Sequence, residues 1–365
     1  MPPWNFSSRG MVSINTNLNN TLLYVSYKIV KADGSDIDDG ARVVLTNSIA
    51  SLFNQLDVTL GDRLITQSHH CYSYRAVIEL ILNFALGTQF TSGFFYKDDL
   101  DLMESTLLTA AGNSGFKARA RHTAGSCKWE LLGPLHSNLF FQDRLLINGI
   151  DVKVKLTRSR NEFCVVKDGN ENYKVQLLAA SLFVKCVKVA PGVRLGHAEA
   201  LLTSNAKYPI DQVGMKVYSI PTGSLVCNQE NLFLGQLPKQ LVIGFVDNAS
   251  FSGDYERNPF NFQHCNVNFC TLHCDGEQIP AKPLQRDYEH GLFVREYMQM
   301  VQATGKGMKD RPMLISREEF NRGYTLYCFD LSPDQGCSEH YSLIRNSNLR
   351  AEIRFTQPPP PTEST

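Results

Sequence analysis

Seven consecutive residues, 150–156 (IDVKVKL), alternate apolar and polar side chains without a break. Ile150, Val152, Val154 and Leu156 fall on one side and Asp151, Lys153 and Lys155 on the other. Only an extended strand has a side-chain period of two, so this stretch reads as a strand with one buried and one wetted face. Asn148-Gly149 stands just ahead of it, and both residues tolerate the positive φ of tight turns. The spacing therefore predicts a β-hairpin here.

Similar stretches recur along the chain. LNNTLLYVSYKIV (18–30) is rich in β-branched and aromatic residues and is closed by Asp33-Gly34; LFNQLDVTLGDRLI (52–65) reads as two short strands about Gly61-Asp62. Further strands are expected at 173–189, ended by Pro191-Gly192, and at 213–221, 240–246, 266–274, 323–331 and 348–355, with Asp275-Gly276 turning the chain after the fourth of these. In YSYRAVIELIL (72–82) the apolar residues instead recur three and four apart, which predicts a helix near 72–84. A second helix is expected within 284–300. The polar, Gly-containing segment 98–125 reads as a surface insertion of loop and helix fragments.

A chain of 365 residues exceeds what one hydrophobic core usually serves, so two domains of roughly 180 residues are expected. The helix-prone segment RLGHAEALLTS (194–204) lies near the midpoint. The expected division is 1–193, 194–357 and a proline-rich tail, 358–365. The two halves echo one another. LDVTLGDRLI (56–65) is matched by TLHCDGEQIP (271–280), and NGIDVKVKL (148–156) by NLRAEIRF (348–355), at offsets of about 200 residues in the same order. The predicted class is all-β: two tandem sandwiches with short inserted helices.

The 36 Lys and Arg balance the 36 Asp and Glu, which argues against a broad basic face for nucleic-acid phosphates. The start of the chain, MPPWNFSSRGMVS, lacks the apolar core of a signal peptide, and no run approaches the roughly 18 apolar residues of a membrane span. Synthesis in the cytosol is expected. Ten cysteines without paired spacing read as small buried hydrophobes in a reducing compartment, and the Asn-x-Ser/Thr matches at Asn5, Asn19 and Asn248 as chance.

The densest set of metal-ligand types is His264, Cys265, Cys270, His273 and Cys274. On a strand, His264, Cys270 and Cys274 share one face while Cys265 and His273 share the other, so the set is split and no metal site is expected. His69-His70-Cys71 has no second cluster to pair with, and capping and packing account for it. TGKG (304–307) lacks the earlier glycine and the Ser/Thr of a phosphate loop. Arg158 and Arg160 beside Glu162 read as exposed ion pairs. No residue pattern argues for catalysis or for a cofactor.

Longer motifs carry a resemblance. Residues 228–264 (NQENLFLGQLPKQLVIGFVDNASFSGDYERNPFNFQH), 135–164 (LHSNLFFQDRLLINGIDVKVKLTRSRNEFC), 72–79 (YSYRAVIE), 197–210 (HAEALLTSNAKYPI) and 323–334 (GYTLYCFDLSPD) resemble the major capsid protein of Polinton (Maverick) virus-like transposons and adintoviruses. The matches cover most of the chain in the same order. The resemblance implies a double jelly roll, two eight-stranded sandwiches in one chain. Three chains would form a pseudo-hexagonal capsomer, and capsomers would tile an icosahedral shell around DNA, with a minor penton protein as a further partner. It implies a virion location, a homotrimer, no enzyme activity and no sequence-specific nucleic-acid contact. Two departures stand out. The family carries a further strand after the proline-containing segment, so the second sandwich is expected to lack its last strand, and the start of the chain looks short. The rival readings are a jelly-roll module that binds carbohydrate or another ligand without catalysis, and a metal-dependent cupin-type enzyme, for which no His/carboxylate cluster is seen.

Overall fold

The computed structural model describes residues 3–8, 14–47, 49–66, 70–84, 93, 95–233, 235–307, 313–333 and 343–359. The chain divides into two compact units. The first comprises Met1–Glu79, Gly87–Lys97 and Thr106–Met215; the second comprises Leu80–Leu86, Asp98–Ser105 and Lys216–Thr365. The division thus falls after Met215, with two earlier segments joining the second unit, where the sequence pattern placed it at 193/194.

The described strands of the first unit are β1 (Trp4–Ser8), β2 (Ile14–Lys31), β3 (Val43–Leu45), β4 (Phe53–Leu60), β5 (Arg63–Leu64), β6 (Trp129–Pro134), β7 (Val152–Arg158), β8 (Val165–Lys167) and β9 (Tyr173–Lys188). They form three antiparallel sheets, ordered β1-β7-β4-β5, β6-β2-β9 and β3-β8. Helix α1 (Tyr72–Asn83) occupies the stretch with the three-and-four period. It is followed by α2 (Ser114–Thr123), the single turn α3 (Asn161–Cys164) and α4 (Pro191–Thr203).

Strand β7 keeps the alternation read from its sequence. Val152, Val154 and Leu156 are buried while Asp151, Lys153 and Lys155 are exposed. Each such burial stabilises by about 1.5–3 kcal/mol. Val154 lies between Phe6 of β1 and Val58 of β4, so its apolar neighbours come from both sides of the sheet. The expected hairpin is corrected here. Asn148-Gly149 does turn the chain, with Gly149 at φ +81°, but no strand precedes the turn and β7 pairs only with the distant β1 and β4. A turn signal fixes a local reversal; it does not fix which strand lies alongside. Residues Gly61-Asp62, by contrast, close a true hairpin between β4 and β5.

The second unit holds β10 (Val226–Gln229), β11 (Gln240–Gly244), β12 (Val267–Cys274), β13 (Glu277–Gln285), β14 (Leu326–Asp330) and β15 (Leu349–Phe355) among its described residues. Its helices are α5 (Asn248–Ser252), α6 (Val294–Ala303) and α7 (Arg317–Phe320). Asp247 caps α5, its side chain accepting from the backbone N–H of Ala249 (2.7 Å) and Ser250 (3.3 Å). The sheets are ordered β10-β15-β12-β13 and β11-β14. The strand expected at 213–221 does not form, and no strand ladder includes those residues. Strand β12 begins at Val267, after Cys265 and Asn266 have turned the chain at φ +46° and +47°.

The internal echo of the sequence is realised as topology. In each unit the four-stranded sheet has its last strand inserted between its first and second, and its second and third strands joined by a tight turn. Strands β7 and β15 hold the equivalent central place. Leu349, Ala351, Ile353 and Phe355 of β15 are buried, and they face the buried Cys274, Leu272, Cys270 and Val267 of β12. Among the described residues no sheet closes into a barrel, and the strands stand in five open sheets of two to four.

Candidate functional site

The five metal-ligand candidates have separate neighbours. His264 stacks on Tyr288 (centroids 4.4 Å apart) and its Nδ1 accepts from the backbone N–H of Asn266 at 3.0 Å. Burial, with Arg286 adding to it, holds the His264 imidazole below its ordinary value. Cys265 sits in the left-handed turn ahead of β12, and burial pushes its thiol up to about 11. Cys270 and Cys274 face the core from β12, Cys274 Sγ lying 2.9 Å from Ser347 Oγ. His273 lies on the other face, 3.6 Å from the Glu352 carboxylate. Among the described residues no three or more His, Cys, Asp or Glu side chains stand together as metal ligands.

Of the other sequence candidates, His69 lies outside the described residues, and Cys71 is buried just before α1, its carbonyl accepting from the Arg75 N–H. TGKG lies at the C-terminal end of α6, where the helix dipole repels anions. Arg158 is half-buried rather than exposed. It donates to Asn161 Oδ1 (3.1 Å) and to the Val175 carbonyl, tying β7 to β9.

Three polar features escaped the sequence reading. In the first unit Glu79 of α1 accepts from Arg75 Nε at 2.9 Å and pairs with His136 Nδ1 at 3.0 Å. Arg75 also donates to Asn138 Oδ1 (2.6 Å), and the His136 N–H donates to Tyr72 Oη (3.1 Å). Burial pushes the Glu79 carboxyl up, but the His136 bond and the Arg75 charge outweigh it and hold the group below the usual range. In the second unit Arg286 is buried with its guanidinium 4.0 Å from the Tyr327 ring centroid, and its Nε donates to the Val267 carbonyl. Tyr327 and Tyr288 share a hydrogen bond of 2.9 Å. Glu296 of α6 is buried there, its Oε1 and both terminal nitrogens of Arg286 having no hydrogen-bond partner; burial raises the Glu296 carboxyl.

The third feature corrects the view of 98–125 as surface. Asp98, Met103 and Asn113 are buried. Asn258 Nδ2 donates to Asp98 Oδ2 (2.9 Å) and to the Met103 carbonyl (3.3 Å), and Tyr324 Oη donates to the Asp98 carbonyl (3.1 Å). Gly323 packs so closely here, at φ +97°, that a Cβ would overlap Met103 Sδ. Segments 98–105 and 247–262 are thereby locked together within the second unit.

Large apolar side chains are exposed at many places in both units, Leu292, Leu343 and Ile344 among the most exposed, and two groups of them lie close together along the chain. In the first unit one group runs from the second half of β9 into α4, of whose thirteen residues none is buried. In the second unit Val217, Tyr218, Leu225 and Val226 are exposed at and before the edge strand β10. No described helix is long and apolar enough to cross a membrane. Among the described residues these exposed apolar surfaces are more conspicuous than any cleft with convergent reactive groups.

No family profile matches the sequence. The chain is 23% identical, over an alignment of 376 residues, to the uncharacterized protein F54H12.2 of Caenorhabditis elegans, covering 98% of this chain and 87% of that protein. Its fold is similar to that of a chain in the cryo-EM structure of the Sputnik virophage, with a TM-score of 0.54 and 13% identity over 96% of this chain and 78% of that one. Lower likenesses are found to the PBCV-1 virus capsid (TM-score 0.47, 11% identity, covering 100% of this chain and 86% of that one) and to the mavirus major capsid protein (0.45, 10%, 100% and 81%). At these identities the likeness is one of fold. What the likeness shows is a fold shared with the Sputnik virophage chain.

Proposed function

We propose that this chain is a capsid protein, a structural component that works by shape and self-association rather than by catalysis. Three copies form a pseudo-hexagonal capsomer, and capsomers tile an icosahedral shell around DNA, as in the Polinton, Maverick and adintovirus capsids whose motifs the sequence resembles. The protein is made in the host cytosol and ends in the virion, with a minor penton protein at the vertices. The observation that carries this reading is the likeness in fold, along 96% of the chain, to a chain of the Sputnik virophage. The duplicated sheet order agrees with it, because one chain with two like units supplies two of the six sides of a pseudo-hexagon. The equal numbers of acidic and basic residues also agree, since a shell needs no broad basic face.

Light scattering on the purified protein, followed by negative-stain imaging, tests the proposal. Particles of three times the 41.0 kDa chain mass with a hexagonal outline are expected. A stable monomer that binds a sugar stoichiometrically, or turnover that depends on a bound metal, would overturn it.

A further inference from the structure

We propose that the second half of β9 and helix α4 form the surface by which one copy of this chain holds the next, and that the surface it meets on that neighbour is the edge around β10. The inference rests on the capsid reading and names the contact that reading leaves open.

Residues 177–184 (LLAASLFV) carry no charge and are apolar on both faces of the strand, the pattern of strands that are covered on both sides. The isolated chain covers one side only in part: Leu177, Ala180 and Leu182, opposite the buried Tyr27, Val25 and Leu23 of β2, are half-buried, while Leu178 and Phe183 are exposed. Tyr173 and Val175 are buried, but no residue of β9 beyond them is. β9 is also an edge strand of β6-β2-β9, so its outer main-chain groups have no strand to pair with in that sheet. Phe183 is 57% exposed and lies opposite Leu22 of β2, itself exposed. Helix α4 follows directly, with Leu195 at 72% and Leu202 at 87% exposure.

Area decides what kind of occupant fits. Leu22, Leu178, Phe183, Leu195, Leu201 and Leu202 are all exposed, with Val193 between them. At roughly 100 Å² per side chain they offer on the order of 700 Å² of apolar surface. The largest apolar patch on a typical monomer is about 300–600 Å², and each partner in a standard interface contributes about 800 Å². The patch therefore has the size of a protein interface.

A second apolar edge, one of several exposed apolar sites on the other unit, is the surface assigned to the neighbouring copy. Val217, Tyr218, Leu225 and Val226 lie on the other unit, and β10 is the edge of its own four-stranded sheet. Two unlike apolar edges on one chain, one per unit, are what a head-to-tail contact between identical copies requires; a two-fold contact needs only one self-complementary patch.

Two double variants test this. Phe183→Asp with Leu202→Asp alters the first surface, and Leu225→Asp with Val226→Asp alters the second; far-UV circular dichroism and melting check that each still folds. Leu195→Ser with Leu202→Ser, confined to the exposed helix, serves as a milder version of the first. Each variant alone is expected to sediment as a monomer at concentrations where the unchanged chain associates. An equimolar mixture of the two is expected to form a two-copy species, because each brings one intact surface. Full association by either Asp variant on its own, or a mixture that stays monomeric, would overturn the inference while leaving the capsid reading standing. An unchanged chain that is monomeric at every concentration would overturn both.

Discussion

Each unit holds a glutamate near an arginine, half-buried in the first unit and buried in the second, and the two carboxyl groups respond in opposite ways. Glu79 has Arg75 at 2.9 Å and His136 at 3.0 Å, and the charged form is held by those bonds. Glu296 shares the interior of the second unit with Arg286, yet its Oε1 has no partner and burial raises it. The difference teaches that a nearby opposite charge does not by itself offset desolvation. At Glu79 the hydrogen bond from His136 and the Arg75 charge outweigh burial, whereas at Glu296 burial outweighs a backbone hydrogen bond and the charges of Arg286 and Arg295.

The comparison between the units can be broken most severely at their sheets. Leu156→Ala in β7 and Ile353→Ala in β15 remove buried side chains from equivalent central strands, and each is expected to cost about 3 kcal/mol in urea denaturation. A loss near zero at one of them would show that the shared strand order hides unequal cores. Next in size is Arg75→Ala, which leaves Glu79 with a single partner and is expected to cost about 2 kcal/mol at neutral pH.

The glutamates themselves sharpen the contrast through pH. Because the folded state lowers the Glu79 value, the stability it contributes is present above the ordinary carboxylate range and is lost as pH falls through the depressed folded value. Glu296 runs the other way. Its folded value is raised, so stability is complete below the unfolded carboxylate value and falls as pH rises through the folded one. Glu296→Gln is therefore expected to melt higher than the unchanged chain at pH 8, by the equivalent of about 1 kcal/mol, and to match it near pH 4. Thermal melts across that range check it, and a variant that melts lower at pH 8 would refute it. The smallest effect belongs to Arg354, which bonds Glu352 (2.6 Å) and covers the Phe269 ring from an exposed position. Arg354→Ala should change stability by no more than about 0.5 kcal/mol in the same denaturation assay.

Much of the strand content was legible in the sequence because the pleat is a local periodicity. Val152, Val154 and Leu156 announce their buried face through spacing alone. The echo between 148–156 and 348–355 was legible too, and it marks the two strands that hold equivalent places. Pairing was not legible, since β7 finds its neighbours at residues 4–8 and 53–60 and no turn signal specifies a partner so distant. The polar features failed for a related reason. DDLD at 98–101 reads as solvated, and only Asn258, far along the chain, makes Asp98 an interior residue. Glu296 left a trace that helical arithmetic would have caught, because Glu296, Met300 and Ala303 are spaced four and three apart on the one buried face of α6.

The order shared by the two large sheets has a consequence for how the chain is made. Within each four-stranded sheet the strand beside the first is the one synthesised last, so β1 must wait on the ribosome for residues 152–158 and β10 for residues 349–355. Until then the sheet has a gap in its middle, with β4 and β12 each presenting an unpaired flank on the side the late strand will fill. Such late, non-local closure slows folding and prolongs exposure to other nascent chains. A polysome translating this message crowds many identical half-sheets together, and the speed of elongation through those two final strands becomes a determinant of yield.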